Sequence, residues 1–262
     1  GSEVLLSLNG RELAALDWYQ SGGKFRGDYN YCMLGGTPQS YVAINFGRYL
    51  WDKELAFDPS RFINPQLRIY FDIDAADASC EHNYITAFAS LFDQQSISPA
   101  GFLMSKEIKS YDTGVSSHEY TDLPTDHPYR ALFLRCQVDE IEPSNMIGNI
   151  KLSEDMDKRV IFDGECSLVM RGLNPYCPEV REDHWLPLAV AERSLFITAT
   201  ERVKAIGSVW AEEAVAQDAA FYHGDGGKLY TYATANPKNT QILTSGRLPH
   251  GTWCFPFGDP MK

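Results

Sequence analysis

The sequence predicts an all-β protein, and three observations support that prediction. Aromatic residues make up 13% of the 262 residues, and such side chains favour strands and β-rich interfaces. The 20 Gly and 14 Pro are scattered along the chain, which indicates many turns rather than one linker. Short apolar runs recur between these turns, without the alternating long helices of a parallel sheet. We therefore expect β-sandwiches with a minor helical content.

Three strands are predicted in the N-terminal part of the chain. Val4–Leu8 is a short apolar run, and the Asn9-Gly10 pair that follows it predicts a type I′ turn. Leu13–Trp18 is expected to form one helical turn. Tyr41–Phe46 alternates as a strand, and Leu67–Asp74 is the clearest strand because apolar and polar side chains alternate along all of it.

A domain boundary is predicted near residue 85, where the pattern changes. Residues 75–100 fit both a helical stripe and a short linker strand. We place the junction there, with a first domain over 1–85 and a second over 86–262. In the second domain, Val209–Ala219 is the one convincing helix because alanine favours that conformation, and Asp163-Gly164 is expected to close a hairpin or mark a bend. Its predicted strands are Phe102–Tyr111, Ser117–Leu123, Tyr129–Val138, Met146–Leu152, Arg159–Phe162, one within Leu188–Thr200, Lys228–Thr234, Gln241–Thr244 and Thr252–Phe257.

The net charge of −12 limits the class of partner. A duplex-binding surface needs clustered Lys and Arg to displace counterions from phosphates, and no basic run occurs. We therefore expect no direct, sequence-specific contact with nucleic acid. No apolar run reaches the ~20 residues that span a bilayer, and we expect no signal peptide.

The cysteines and histidines lack the spacing of metal ligands. No C-x-x-C, H-x-H or H-E-x-x-H pattern occurs. The thiols are expected to stay free in a reducing cytoplasm, and the histidines are expected to lie in loops. The cysteines are Cys32, Cys80, Cys136, Cys166, Cys177 and Cys254, and the histidines are His82, His118, His127, His184, His223 and His250.

Two groups of carboxylates are the candidates for chemistry. Asp72 and Asp74 lie two apart on one predicted strand face with Asp77 nearby, a pattern that fits a glycosidase pair, calcium ligands or a solvated strand edge. The second group is an acidic cluster without the register of an EF-hand loop: Glu154, Asp155, Asp157 and Asp163. We expect solvated surface in both places, and assign no catalytic, cofactor-binding or metal-binding residue.

An aromatic loop runs from Trp18-Tyr19 to Tyr29-Asn30-Tyr31. Tyr and Trp are favoured both in sugar-binding platforms and in subunit interfaces. Composition does not decide between these two roles, and both stay open.

Four segments in order resemble the double-jelly-roll major capsid proteins of tailless icosahedral, corticovirus-like bacteriophages. They are Glu3–Leu13, Tyr41–Phe46, Leu67–Ala76, and Tyr120–Pro124 followed by Tyr129–Leu134. The resemblance covers roughly the first 165 residues, and the ordered set is more specific than any one segment. Relative to the family pattern, we expect the first jelly roll to lack its opening strands and the second its closing strand.

The resemblance implies two eight-stranded jelly rolls in tandem, with three subunits forming a pseudo-hexagonal capsomer. It implies a structural protein of the virion, assembled in the host cytoplasm, with no enzymatic activity and no cofactor. The implied partners are two further copies, neighbouring capsomers, minor capsid or penton proteins, and a viral membrane beneath the shell. The alternatives are a carbohydrate-binding or carbohydrate-active β-sandwich and a phage receptor-binding or penton protein.

Overall fold

The computed structural model describes residues 4–23, 29–31, 41–71, 84–93, 97–173, 177, 179–188, 193–210, 219–223, 226–233 and 238–258. The chain divides into two compact units. Unit 1 comprises Gly1–Asn45 and Met104–Lys262, and unit 2 comprises Phe46–Leu103. The predicted division into two jelly rolls at residue 85 stays a prediction.

The described residues form mostly strands with little helix, which confirms the mainly-β class. In chain order the elements are β1 (Leu6–Ser7), α1 (Gly10–Gln20), β2 (Tyr29–Tyr31), a 3-10 helix (Pro59–Arg61), β3 (Ser105–Lys106), β4 (Ala131–Arg135), α2 (Pro143–Met146), β5 (Asn149–Glu154), β6 (Arg159–Glu165), α3 (Cys166–Leu173), β7 (Val180–Leu188), β8 (Arg193–Phe196), β9 (Ala199–Trp210), β10 (Ala219–His223), β11 (Lys228–Ala233), β12 (Lys238–Pro249) and β13 (Thr252–Pro256).

Helix α1 begins where the sequence predicts a hairpin turn. The Asn9 side chain accepts a hydrogen bond from the backbone N–H of Glu12 at 3.0 Å, and the Glu12 carboxylate accepts one from the backbone N–H of Asn9 at 2.9 Å. This capping box satisfies two donors at the start of the helix. The predicted type I′ turn at Asn9-Gly10 is therefore wrong, and the single turn expected at Leu13–Trp18 is the centre of an 11-residue helix.

The largest sheet of unit 1 has the strand order β2-β7-β12-β9. Strand β12 runs antiparallel to both of its neighbours, so that Ile242 lies opposite His184 on one side and Gly207 on the other. Strand β2 pairs in parallel with β7. A second, antiparallel sheet has the order β10-β11-β8. The strands predicted at Gln241–Thr244 and Lys228–Thr234 are confirmed, the first as the middle of the longer β12.

Three smaller strand pairs complete the sheets described in unit 1. Strand β1 pairs in parallel with β3, whereas β13 pairs with β4 and β5 pairs with β6 in antiparallel fashion. The β5–β6 hairpin turns through Asp155, Met156 and Asp157, which all have positive φ angles. Asp163 and Gly164 lie inside β6, so they do not close a hairpin, which was the first of the two roles expected for them. Asp tolerates the left-handed conformation that this turn requires, so the hairpin closes at Asp155–Asp157 and not at the Asp-Gly pair.

Two apolar clusters form the core of unit 1. Helix α1 packs on the large sheet through the first cluster, and α3 packs on β13 and the end of β12 through the second. The first contains Trp18, Val180, Ile197, Ala199 and Val203. The second contains Cys166, Met170, Leu248, Trp253 and Phe255.

Several predicted strands are absent from the described residues. Tyr41–Phe46, Leu67–Phe71 and Ser117–Leu123 form no strand, while Asp72, Ile73 and Asp74 lie outside the described part of the chain. Alternation specifies which faces a strand would have, but a strand also needs a hydrogen-bonded neighbour. Among the described residues these segments form no strand ladder with a neighbour, although the Phe46 carbonyl accepts a single backbone hydrogen bond from Leu103 at 2.7 Å.

The helix predicted at Val209–Ala219 lies mainly at residues 211–218, outside the described part. Its flanks are strand, because Val209 and Trp210 end β9 and Ala219 begins β10. At those flanks the prediction is wrong, since pairing with β12 and β11 outweighs the helical preference of alanine.

Candidate interaction surface

The segment formed by residues 63–71 and 84–92 of unit 2 is exposed throughout. We call it the apolar segment. Tyr70, Phe88 and Leu91 are 90%, 79% and 84% exposed. The full set of exposed large apolar side chains in it is Ile63, Leu67, Ile69, Tyr70, Phe71, Tyr84, Ile85, Phe88, Leu91 and Phe92.

Burying one such side chain is worth about 1.5–3 kcal/mol. Covering half of the set would therefore match the total stability of an ordinary domain, about 5–15 kcal/mol. Contiguous apolar patches of this kind mark interaction sites on folded proteins. The segment also forms no strand, which leaves its backbone N–H and C=O groups available for pairing.

A rigid corner of unit 2 precedes the apolar segment. Arg48 forms a two-point contact with Asp52, with distances of 2.7 Å from Nε to Oδ2 and 2.9 Å from Nη2 to Oδ1. The backbone N–H groups of Glu54 and Leu55 also donate to Asp52 Oδ1, at 3.1 and 3.2 Å. The guanidinium of Arg48 and these backbone donors hold the pKa of buried Asp52 far below its usual range. The corner thereby keeps its shape and exposes Trp51, whose side chain is 73% accessible.

Unit 2 also has a small aromatic core behind that corner. Phe57 stacks between Phe46 and Phe62, with ring centroids 4.8 and 5.0 Å away. Phe102 meets Phe46, Phe57 and Phe62 edge-on. Unit 2 therefore has an aromatic core of its own. The apolar segment is exposed even though that core is formed.

A buried polar network in unit 1 joins strands β7 and β12 of the large sheet to Thr198. The Glu182 carboxylate accepts hydrogen bonds from the Thr198 backbone N–H at 2.8 Å and from the Thr198 hydroxyl at 2.6 Å. His184 Nε2 lies 3.7 Å from Glu182 Oε2 and 3.1 Å from the Thr244 hydroxyl oxygen. Burial raises the pKa of Glu182, but the bonds from His184 and Thr198 outweigh it and leave the pKa below its usual range. Every polar group named in this network has a hydrogen-bonding or charged partner within the fold.

A cavity of about 550 Å³ opens beside the start of α1 and carries positive charge in an acidic protein. Arg11 is exposed at its edge, and Arg135 is half-buried in its wall. Burial lowers the pKa of His250 to about 4, so this ring is neutral at pH 7. The lining consists of Asn9, Gly10, Arg11, Ala14, Val42, Arg135 and His250.

The predicted carboxylate groups do not form a site in the described structure. Asp72, Asp74 and Asp77 lie outside it. In the acidic cluster, Asp157 pairs with Lys151 at 2.8 Å and Glu154 pairs with Arg159 at 3.0 Å. Among the described residues, no three His, Cys, Asp or Glu side chains are arranged to hold a metal ion.

The histidines do not all lie in loops. His184 is buried in β7 and His223 belongs to β10, so the expectation is wrong for both. His118 and His127 lie in exposed loop, His250 lies in a turn, and His82 is outside the described residues. The signal for His184 is the alternation of Val180, Glu182 and His184, which places all three on one strand face.

The described residues of the aromatic loop belong mainly to α1 and β2. Trp18 is 1% exposed and packs within α1 against the large sheet. The Tyr19 hydroxyl donates to the Thr252 carbonyl at 2.6 Å. Neither ring is therefore presented to a sugar, whereas Tyr29, Asn30 and Tyr31 form β2. The cysteines in the described part are free thiols: Cys136, Cys166, Cys177 and Cys254.

Comparison with known proteins found no match to this chain among family models, curated proteins or solved structures. Within the described residues, no helix is long and apolar enough to cross a bilayer.

Proposed function

We propose that this chain is a viral major capsid protein that assembles as trimeric, pseudo-hexagonal capsomers. The observation that carries the proposal is the apolar segment, which exposes ten large apolar side chains and pairs with no strand among the described residues. In a capsid, each subunit buries much of its surface against other copies of the same chain. Obligate interfaces of this kind are rich in apolar and aromatic side chains. The ordered resemblance of four N-terminal segments to double-jelly-roll capsid proteins gives the proposal its family.

The same proposal accounts for Leu67–Phe71, the described part of the strand predicted at Leu67–Asp74. Its alternation fits a strand, and it has no ladder partner among the described residues. Pairing with the sheet edge of a neighbouring copy would supply that neighbour and bury one apolar face. The tandem jelly-roll arrangement is part of this proposal, with the missing ladders completed between subunits.

Substitution within the apolar segment is expected to dissociate the assembly. Light scattering coupled to size exclusion should show a wild-type trimer, and Tyr70→Asp or Phe88→Asp should each weaken association at least about tenfold, since each puts an unpaired carboxylate in an apolar contact. Leu168→Asp is the matched control, because Leu168 is 56% exposed on α3, outside the segment. A wild-type chain that stays monomeric at high concentration contradicts the proposal.

A second candidate, a carbohydrate-binding module, is favoured by the corner around Trp51. Tyr49 and Trp51 are 53% and 73% exposed, and the Arg48 guanidinium that pairs with Asp52 lies over the Tyr49 ring, 5.7 Å from its centroid. Exposed rigid aromatic rings are a common sugar-binding surface. The neighbouring carboxylates Asp52 and Glu54 are both bound to Arg48, which favours binding over hydrolysis.

Glycan binding by this corner has a direct test. A glycan array, followed by titration of the best binder with tryptophan fluorescence, would show binding that Trp51→Ala reduces at least about tenfold, the loss expected for one stacked ring. Trp51→Phe, which keeps an aromatic face, should retain most of the affinity. Absence of any glycan binding together with a wild-type trimer leaves the capsid proposal alone.

A further inference from the structure

We propose that the cavity beside the start of α1 binds the acidic tip of the β5–β6 hairpin of a second copy of this chain. The inference rests on the proposed self-assembly and specifies one of its contacts. The contact would be head-to-tail, joining different surfaces of two copies, and such contacts close into rings when the rotation between copies permits.

The first argument is the guanidinium of Arg135, whose charge is only partly compensated by Glu12 at the 4.0 Å limit of an ion pair. Arg135 donates from Nε to the His250 carbonyl at 3.2 Å and from Nη2 to Gln137 at 3.3 Å. Its Nη1 has no acceptor within hydrogen-bond distance among the described residues, since the Glu12 carboxylate is 4.0 Å away. A half-buried guanidinium in this position is a ready partner for an incoming carboxylate, because charge-assisted bonds to Arg are short and strong.

The second argument is the charge balance of the cavity. Arg11 forms no ion pair within the described part of the chain and lies at the rim. Arg11 and Arg135 bring two positive charges to a lining without Asp or Glu, whereas Glu12 and the buried Glu182 lie outside the lining and offset part of this charge. Two cations in the cavity lining of a chain of net charge −12 attract acidic surface of the same chain in another copy.

The third argument is the form of the hairpin tip. Its two flanking carboxylates, Glu154 and Asp157, are occupied by Arg159 and Lys151. Asp155 has no ion pair among the described residues and is exposed, and Met156 beside it is 98% exposed. An anion next to a flexible apolar side chain matches a cavity whose wall combines two Arg with Ala14 and Val42.

A charge swap tests this contact. Arg11→Glu alone and Asp155→Arg alone should each raise the dissociation constant of self-association at least about tenfold, as expected for losing a close interfacial charge pair. The double variant should return to within about threefold of wild type, because it restores the attraction with the signs reversed. Analytical ultracentrifugation measures all three.

Matched controls separate the contact from a general effect of charge. Lys204→Glu and Glu165→Arg make the same changes at exposed positions, the second at the opposite end of the same hairpin, and should leave association unchanged. We expect the Arg11→Glu variant to fold, because acidic residues are favourable in the first turn of a helix.

Each outcome bears on one proposal. A wild-type trimer that neither single variant weakens, or a double variant without recovery, overturns the inference and leaves the capsid proposal standing. A monomeric wild type overturns the proposed function itself. Calorimetric binding of inorganic phosphate that Arg11→Glu abolishes and Asp155→Arg leaves intact, with association unchanged in both, would assign the cavity to a free oxyanion and overturn the docking of the hairpin.

Discussion

Replacing Trp253 with alanine is expected to lower the free energy of unfolding by about 3–5 kcal/mol, the usual cost of deleting a buried Trp or Phe side chain. Trp253 is 1% exposed at the centre of the second apolar cluster, between α3 and the β13–β4 pair. The alanine would leave a cavity lined by Met170, Leu248 and their neighbours. Urea titration followed by far-ultraviolet circular dichroism measures the change.

Trp253→Phe is the matched control for that prediction. The Trp253 indole N–H is buried and has no acceptor among the described residues. Phenylalanine removes this unsatisfied donor while keeping most of the ring, so its cost should stay below about 1.5 kcal/mol. Equal losses for alanine and phenylalanine would show that the ring itself does not fill the core.

Replacing Glu182 with alanine is expected to cost about 3–5 kcal/mol, the range for breaking a buried pair by removing one partner. Thr198 would lose the acceptor of two hydrogen bonds, and His184 would lose its neighbouring carboxylate. Glu182→Gln keeps the volume and one carbonyl acceptor, and should lose less. Urea titration at pH 7 compares the two.

The same pair predicts a pH dependence with a definite sign. Because the pKa of Glu182 is depressed in the folded protein, its charged form contributes stability above the usual glutamate pKa of about 4.3. That contribution is lost as the pH falls through the depressed value. The stability difference between wild type and Glu182→Gln should therefore shrink on acidification below pH ~4, and a difference that is constant with pH contradicts the assignment.

The candidate surfaces were only partly accessible to sequence analysis. The apolar alternation of Leu67–Phe71 is visible in the sequence, but its exposure is not, because the same alternation fits a paired strand in a core. The cationic cavity has no sequence signal, since Arg135 and His250 meet across a separation of 115 residues. The acidic cluster is visible, but only the ion pairs of Glu154 and Asp157 show that Asp155 is the open carboxylate at the hairpin tip.

The sequence by itself determined the mainly-β class and the strands whose alternation coincides with a long ladder, as in β4, β11, β12 and β13. Local side-chain chemistry is sufficient there, because each of these strands has a partner in the chain. Tertiary structure alone decided that Trp18 is buried rather than presented to a ligand, and that the strand face shared by Glu182 and His184 is the core face. These outcomes depend on contacts between distant residues, and a period of two or a turn dipeptide contains no information about them.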